Sequence, residues 1–168
     1  MGALGGKRKP VETINLALAR LKGQRVYFDT NILIYILENA VGYVDVCLPF
    51  FQAVAQQDII GCTGEMTLAE LLVKPMRTND MISMGKIRVL FDDGYFEVFS
   101  HNRESLELSA YLRATQGLRM VDAIHAAAAI KGGCNYLLTH DRQLATQVKG
   151  IEVVNIDIWL APSLQKAP

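Results

Sequence analysis

The chain has 168 residues, of which 51% are hydrophobic, so it can bury one substantial core but is too short for two ordinary domains. Seventeen basic residues balance seventeen acidic ones, and no apolar stretch approaches the ~20 residues that a membrane-spanning helix needs. The N-terminus lacks the apolar core of a signal peptide. We therefore expect one compact, cytoplasmic domain that does not associate with a membrane.

The balance of charge is uneven along the chain. Residues 1–25 carry six basic side chains and one acid, whereas the rest of the chain has eleven basic and sixteen acidic residues. A basic arm beside an acidic body could steer a polyanion towards a site that needs metal to accept it. The alternative is that Lys7, Arg8 and Lys9 belong to a solvated terminus.

Predicted helices and strands alternate along the chain. Behind Pro10, the apolar residues Val11, Ile14, Leu18 and Leu21 recur at helical spacing and predict an N-terminal helix. Further on, strands are predicted at 26–28, 59–62, 95–100, 136–139 and 152–155, and helices at 32–37, 44–57, 68–77, 81–91, 105–115, 121–131 and 142–148. This alternation predicts an α/β fold with a central, mainly parallel sheet and helices on both faces.

Three cysteines occur, Cys47, Cys62 and Cys134, and they are widely spaced. An odd number with no CxxC pair fits neither a disulfide framework nor a zinc site. We interpret them as reduced core residues.

Four acidic residues stand at the junctions between predicted elements. Asp29 and Asp141 follow predicted strands, while Glu70 and Asp122 stand near the starts of predicted helices. In open parallel sheets, ligands bind beyond the carboxyl ends of the strands. Each acid alone could instead cap a helix, and Thr67 with Glu70 matches a capping box. The four positions together favour one shared site.

A cluster of four carboxylates needs a cation. Two unit charges about 4 Å apart repel by about 4 kcal/mol at an effective dielectric of 20, so the cluster must either take up protons or bind metal. Ligands that are all oxygen suit Mg²⁺ or Mn²⁺, which can assist the hydrolysis of phosphodiester bonds.

Four short motifs carry a resemblance to a known family. They are Phe-Asp-Thr-Asn at 28–31, Leu-Ala-Glu-Leu at 68–71, Val-Asp-Ala-Ile-His-Ala-Ala-Ala at 121–128 and Leu-Thr-His-Asp-Arg at 138–142. Their order and spacing resemble the PIN domain, and among PIN proteins the VapC-type toxins of bacterial and archaeal toxin–antitoxin pairs. We accordingly expect a basic extension with a helix at 1–24, a PIN-like domain at 25–160 and a C-terminal tail at 161–168.

The resemblance implies a Mg²⁺- or Mn²⁺-dependent endoribonuclease that hydrolyses RNA. Its catalytic and metal-binding residues would be Asp29, Glu70, Asp122 and Asp141. By the same resemblance, Asn31 and Thr139 would be polar supports that orient an acid or a metal-bound water.

The resemblance also implies partners. Many toxins of this family are dimers that are inhibited by a small DNA-binding antitoxin, so we expect RNA, a possible antitoxin and a homodimer. An apolar surface on the helices spanning 44–77 is the candidate for self-association or antitoxin binding. Those toxins usually begin almost at the first strand, so the extension 1–24 departs from their pattern.

Several polar residues near the acids have two interpretations. Arg119 and Arg142 could contact the RNA backbone or pair with neighbouring acids. We interpret His125 as a packed core residue, His140 as a surface residue and His101 as a loop residue.

Other functions have weaker support. A haloacid-dehalogenase-like phosphatase needs a second Asp two positions after Asp29, where this chain has Asn31, and no GxxxxGK[ST] or GxGxxG loop occurs. DNA-directed family members carry long insertions that this chain lacks, so the resemblance favours RNA. The rival from another class is a PIN-like module that binds nucleic acid or protein without catalysis.

Overall fold

A computed structural model describes residues 13–162 and 164, which form a parallel sheet between two layers of helices. The strands are β1 (Arg25–Phe28), β2 (Ile60–Gly64), β3 (Glu97–Phe99), β4 (Tyr136–Thr139) and β5 (Glu152–Asn155). The helices are α1 (Ile14–Leu21), α2 (Thr30–Leu37), α3 (Val44–Ala55), α4 (Glu65–Thr78), α5 (Met81–Asp92), α6 (Arg103–Gln116), α7 (Met120–Lys131) and α8 (Arg142–Gln147). A short 3₁₀ helix, Ile156–Trp159, follows β5.

The order of the strands creates a switch point in the middle of the sheet. The order is β3-β2-β1-β4-β5, and all neighbouring strands are parallel. From β1 the chain builds β2 and β3 on one side, and β4 then returns to pair with the other side of β1. Immediately beyond β1, the backbone N–H of Asp29 still donates to Leu138 O of β4 at 3.0 Å. A ligand site is therefore expected where β1 and β4 end.

Alternating side chains of the central strands supply two cores. Val26 and Phe28 of β1 and Leu138 of β4 enter one core, which includes residues of α1 to α5. Tyr27 and Leu137 enter the other core, against α6, α7 and α8. On that second face, α7 contributes five buried alanines, whose small side chains let the helix approach the sheet closely: Ala123, Ala126, Ala127, Ala128 and Ala129.

The N-terminal helix α1 is part of the first core. Ala17 and Leu21 are fully buried in it, and the side chain of Thr13 caps the helix by accepting from Leu16 N at 3.3 Å. Arg20 pairs with Glu152 at 2.8 Å. The basic residues at 7–9 and Val11 lie outside the described residues, as does most of the predicted tail at 161–168.

The predicted α/β fold is confirmed, while several boundaries differ. The helix predicted at 68–77 already begins at Glu65, because β2 runs to Gly64 and the chain turns directly into α4. The strand predicted at 95–100 contains only three residues. All three cysteines are free, with Cys47 and Cys62 buried. Across residues 13–162 and 164, no helix is long and apolar enough to cross a membrane.

We expect Gly61→Ala in β2 to lower the free energy of unfolding by about 1–3 kcal/mol, as overpacking of a core does. A Cβ atom there would lie 2.7 Å from Val54 Cγ1 and 3.0 Å from Phe96 Cδ1. The matched control is Gly85→Ala in α5, where a Cβ atom meets nothing within 4 Å. That change should stabilise the helix by about 0.5–1 kcal/mol. Urea denaturation of both variants is the measurement, and equal effects of the same sign would contradict this account of β2 packing.

Candidate functional site

Asp29 and Asp141 lie beyond the carboxyl ends of the two strands at the switch point. Asp29 directly follows β1 and caps α2, while Asp141 lies two residues after β4 and caps α8 through Leu144 N at 2.9 Å. The hydroxyl of Thr139 connects them. It donates to Asp29 Oδ2 at 2.6 Å and accepts from the backbone N–H of Asp141 at 2.9 Å. Both acids therefore cap helices and also share one hydrogen-bond network.

Three donors surround the buried carboxylate of Asp29. In addition to Thr139, the backbone N–H of Thr30 donates to Oδ1 at 2.8 Å and Asn31 Nδ2 donates to Oδ2 at 2.6 Å. Asn31 Oδ1 accepts from the backbone N–H of His140 at 3.1 Å, which fixes the orientation of its amide. Burial raises the pKa of Asp29 above its ordinary value, although nearby positive charge and these hydrogen bonds oppose the rise.

Glu70 joins the same network from α4. Its Oε2 accepts from Thr30 Oγ1 at 2.5 Å and lies 2.8 Å from His125 Nε2. Burial raises the pKa of Glu70, but the hydrogen bonds from His125 and Thr30 outweigh burial and leave the pKa below its ordinary value. The capping-box alternative for Thr67 and Glu70 is wrong, since Gly64 is the N-cap of α4 and both residues lie inside the helix.

Arg119 lies between the remaining two acids. Its Nε and Nη2 bind the two carboxylate oxygens of Asp122 at 2.6 and 3.1 Å, and Nη2 also binds Asp141 Oδ2 at 2.7 Å. Asp122 stands in the first turn of α7, three residues after Arg119. The side chain of Arg119 is 60% exposed, whereas that of Asp122 is 12% exposed. An exposed cation at the protein surface thus neutralises two acids that are largely buried.

The four acids form one network, linked by Thr30, Thr139 and Arg119. Within the described part of the chain, no three His, Cys, Asp or Glu side chains stand ready to hold a metal ion. A guanidinium occupies the space between Asp122 and Asp141 instead. The donor set itself suits Mg²⁺ or Mn²⁺, because it consists of carboxylate oxygens and of hydroxyl and amide groups that orient them.

Arg142 and His140 belong to a second cluster beside the site. Arg142 forms its ion pair with Asp157 of the 3₁₀ helix. The expectation that His140 lies at the surface is wrong, since its side chain is 1% exposed. Its Nδ1 is 2.7 Å from Tyr35 Oη and its Nε2 is 3.3 Å from Asp157 Oδ1. The ring of His140, which directly follows β4, therefore lies between α2 and the 3₁₀ helix.

Sequence reasoning missed part of the site. Thr30 was not singled out, although it stands between Asp29 and Asn31, and His125 was interpreted only as a core residue. His125 is indeed buried, but its ring also contacts Glu70. The available signal was its position three residues after Asp122, which places both on neighbouring parts of one helix face. Burial lowers the pKa of His125, but the bond to Glu70 and the nearby carboxylates raise it above its ordinary value overall.

Comparisons with known proteins agree with this architecture. The family model of the PIN domain matches residues 26–150. The fold is similar to VapBC2 from Rickettsia felis bound to a promoter DNA fragment (TM-score 0.61, 14% identity, covering 78% of this chain and 98% of that one). It is also similar to a toxin–antitoxin complex from Klebsiella pneumoniae (TM-score 0.61, 22% identity, covering 78% of this chain and 97% of that one). A third similar structure is VapC20 from Mycobacterium tuberculosis, a toxin that cleaves the sarcin–ricin loop (TM-score 0.61, 13% identity, covering 76% of this chain and 98% of that one). No curated protein matches the sequence.

The raised pKa values of Asp29 and His125 predict how metal-free stability depends on pH. Each group stabilises the fold fully below its ordinary pKa, and this contribution is lost as the pH rises through the raised pKa. Glu70, whose pKa is lowered, has the opposite sign and loses its contribution in acid. In EDTA we expect the melting temperature to fall as the pH rises above the ordinary pKa of histidine, about 6.5, because the raised pKa of His125 lies above that value.

Thermal denaturation followed by circular dichroism at a series of pH values measures this fall. His125→Gln is the control, because it removes the titrating ring and should flatten the fall. Superimposable pH profiles for the wild type and His125→Gln would contradict the assignment.

Proposed function

Because this chain belongs to the PIN domain family, we propose that it is a metal-dependent endoribonuclease that hydrolyses phosphodiester bonds in RNA. PIN nucleases generally use divalent metal ions. The observation that carries the proposal is the hydrogen-bond network joining four carboxylates beyond the ends of β1 and β4. VapC20, which has a similar fold, is a toxin that cleaves the sarcin–ricin loop, and this supports RNA as the substrate class.

We assign the metal ligands to the acids of this network: Asp29, Glu70, Asp122 and Asp141. The ion would be Mg²⁺ or Mn²⁺, because the donors are all oxygen. When bound, such an ion polarises a phosphoryl oxygen and lowers the pKa of a bound water. Asn31 and Thr139 each donate to Asp29 Oδ2 at 2.6 Å, so they fix the orientation of that carboxylate and favour its ionised form against the effect of burial.

The arginines act as positive groups around this site. Arg119 neutralises Asp122 and Asp141, and its exposure would let it turn towards the RNA backbone if a metal ion took its place between these acids. A guanidinium can bind two phosphate oxygens at once. Arg142 is 36% exposed beside Asp157 and is the second candidate contact.

We expect Asp122→Asn to lower RNA cleavage by about two orders of magnitude or more, since a charged ligand is lost while the shape is kept. The control is Glu104→Gln on α6, which removes the same charge from an exposed side chain that pairs with Lys131. It should cleave like the wild type. Cleavage of a varied panel of single-stranded and structured RNAs with Mg²⁺, Mn²⁺ or EDTA is the measurement.

Asp29→Asn should also abolish cleavage, but it is the less clean variant. An amide in place of Asp29 would set its own N–H groups against the donor Asn31 Nδ2, which lies 2.6 Å from Asp29 Oδ2. If Asp122→Asn kept full activity, or the wild type cleaved none of the RNAs, the non-catalytic binding module would replace the nuclease.

Arg119→Gln should strengthen metal binding. Without Arg119 the two acids repel each other, so we expect the metal-free free energy of unfolding to drop by up to about 1 kcal/mol, as for exposed ion pairs. The rise in melting temperature on adding Mg²⁺ should then exceed that of the wild type. Arg88→Gln, at an exposed position on α5, is the charge-matched control. A Mg²⁺-induced rise equal in all three proteins would show that Arg119 does not compete with metal.

The partners are also proposals. Several structures with this fold are toxin–antitoxin complexes, and we propose that this chain likewise pairs with an antitoxin. We propose that the chain self-associates through an apolar surface on the helices at 44–77. Val73 and Met76, both on α4, are about half exposed there. Met81 and Ile82 on the following helix, α5, are further exposed apolar residues.

A further inference from the structure

Two fully buried side chains connect the core to Glu70. The phenol oxygen of Tyr27, in β1, lies 2.9 Å from His125 Nδ1, and Nε2 on the far side of the same ring lies 2.8 Å from Glu70 Oε2. The side chain of His125 is 2% exposed and Tyr27 is 0% exposed. Hydrogen bonds therefore run from Tyr27, inside the protein, through His125 to Glu70 at the acidic site.

The direction of these hydrogen bonds follows from the chemistry of the groups. A carboxylate only accepts, so Glu70 requires a proton on Nε2. In a neutral imidazole Nδ1 then has a lone pair, and Tyr27 must donate to it; in an imidazolium, Nδ1–H donates to Tyr27 instead. In both states Nε2–H donates to Glu70. The contact therefore holds whichever protonation state the ring adopts.

The two residues that bond the carboxylate of Glu70 contact only one of its oxygens. Oε2 receives the bonds from His125 and Thr30, whereas Oε1 accepts no hydrogen bond from any residue at 13–162 or 164. The side chain of Glu70 is 34% exposed. One oxygen is thus fixed from inside the protein, while the other is left available to a ligand.

The backbone at Gly64 packs closely against the hydroxyl of Tyr27. A Cβ atom at Gly64 would lie 2.7 Å from Tyr27 Oη, so the absence of a side chain at Gly64 leaves the space that the hydroxyl occupies. Gly64 is also the residue from which α4, the helix of Glu70, begins. The strand-to-helix junction at Gly64 therefore lies beside Tyr27 and precedes the helix that carries Glu70.

We propose that His125, held by Tyr27, is a positioning residue that sets Glu70 to bind metal through a single oxygen, Oε1. The inference rests on the proposed function, because it assigns a role within that metal site. His125 touches neither metal nor RNA and acts through Glu70. Outer partners that orient a ligand typically change metal affinity about 10- to 100-fold when they are removed.

The test uses two amide variants that differ in the position of one nitrogen. In His125→Gln the amide nitrogen takes the place of Nε2 and can still donate to Glu70, whereas in His125→Asn it takes the place of Nδ1 and leaves Glu70 without this donor. Mn²⁺ affinity of the full chain, measured by titration with electron paramagnetic resonance, is the readout. We expect His125→Asn to weaken Mn²⁺ binding about 10- to 100-fold and His125→Gln to stay close to the wild type.

A double-mutant cycle separates positioning from packing. In a Glu70→Ala background, His125→Asn should change Mn²⁺ affinity no further, because the residue through which it acts is gone. Tyr27→Phe removes only the hydroxyl and should weaken Mn²⁺ binding less than His125→Asn does. This variant keeps the ring in the core, so it remains informative if His125→Asn does not fold.

The inference is overturned if His125→Asn, or Tyr27→Phe when that variant alone folds, binds Mn²⁺ like the wild type. Equal losses in His125→Asn and His125→Gln, or additive losses with Glu70→Ala, would overturn it too. Failure of the wild type to bind Mn²⁺ would remove both the inference and the metal site. Normal Mn²⁺ binding without RNA cleavage would count against the ribonuclease alone and leave the role of His125 intact.

Discussion

Mutual repulsion among four carboxylates is the constraint around which the end of the sheet is built. Carboxylates held together out of water must be protonated, paired or bound to a cation. Here each acid has its own compensation. Hydrogen-bond donors surround Asp29, the ring of His125 and a hydroxyl hold Glu70, and one guanidinium serves both Asp122 and Asp141. The protein's own groups therefore offset the repulsion among the acids, and of these groups Arg119 is the one at the surface.

The fold makes that concentration of charge possible. Parallel strands end at the same edge, and the switch between β1 and β4 leaves a gap there in which side chains from several helices can meet. The small alanines of α7 bring that helix against the sheet, so His125 of α7 reaches Glu70 of α4. Alternation within β1 sends Tyr27 to the α7 side and Phe28 to the opposite core, which gives one strand both a structural and a polar role.

The sequence predicted the features that follow from position along the chain. Apolar strands precede Asp29 and Asp141, so the sequence predicted that both residues lie at the same edge of a parallel sheet. The pattern of residues could not show that the hydroxyl of Thr139 bonds Asp29, since residues 110 positions apart meet only after the sheet forms. The burial of His140 was missed for a similar reason: Tyr35 and Asp157, which surround it, come from distant parts of the chain. Pattern also failed at Glu70, where a capping motif was present in the letters but the helix starts three residues before the apolar repeat that marks it.

The N-terminal helix bears on how this protein can be altered. Leu21 and Ala17 complete the first core, Lys22 pairs with Asp58, and Arg20 lies 5.0 Å over the ring of Tyr136. Helix α1 thus covers part of the hydrophobic core and is an integral element of the domain. Deleting the residues before β1 would remove this helix and expose the apolar surface that it covers. We expect the shortened protein to aggregate through that surface.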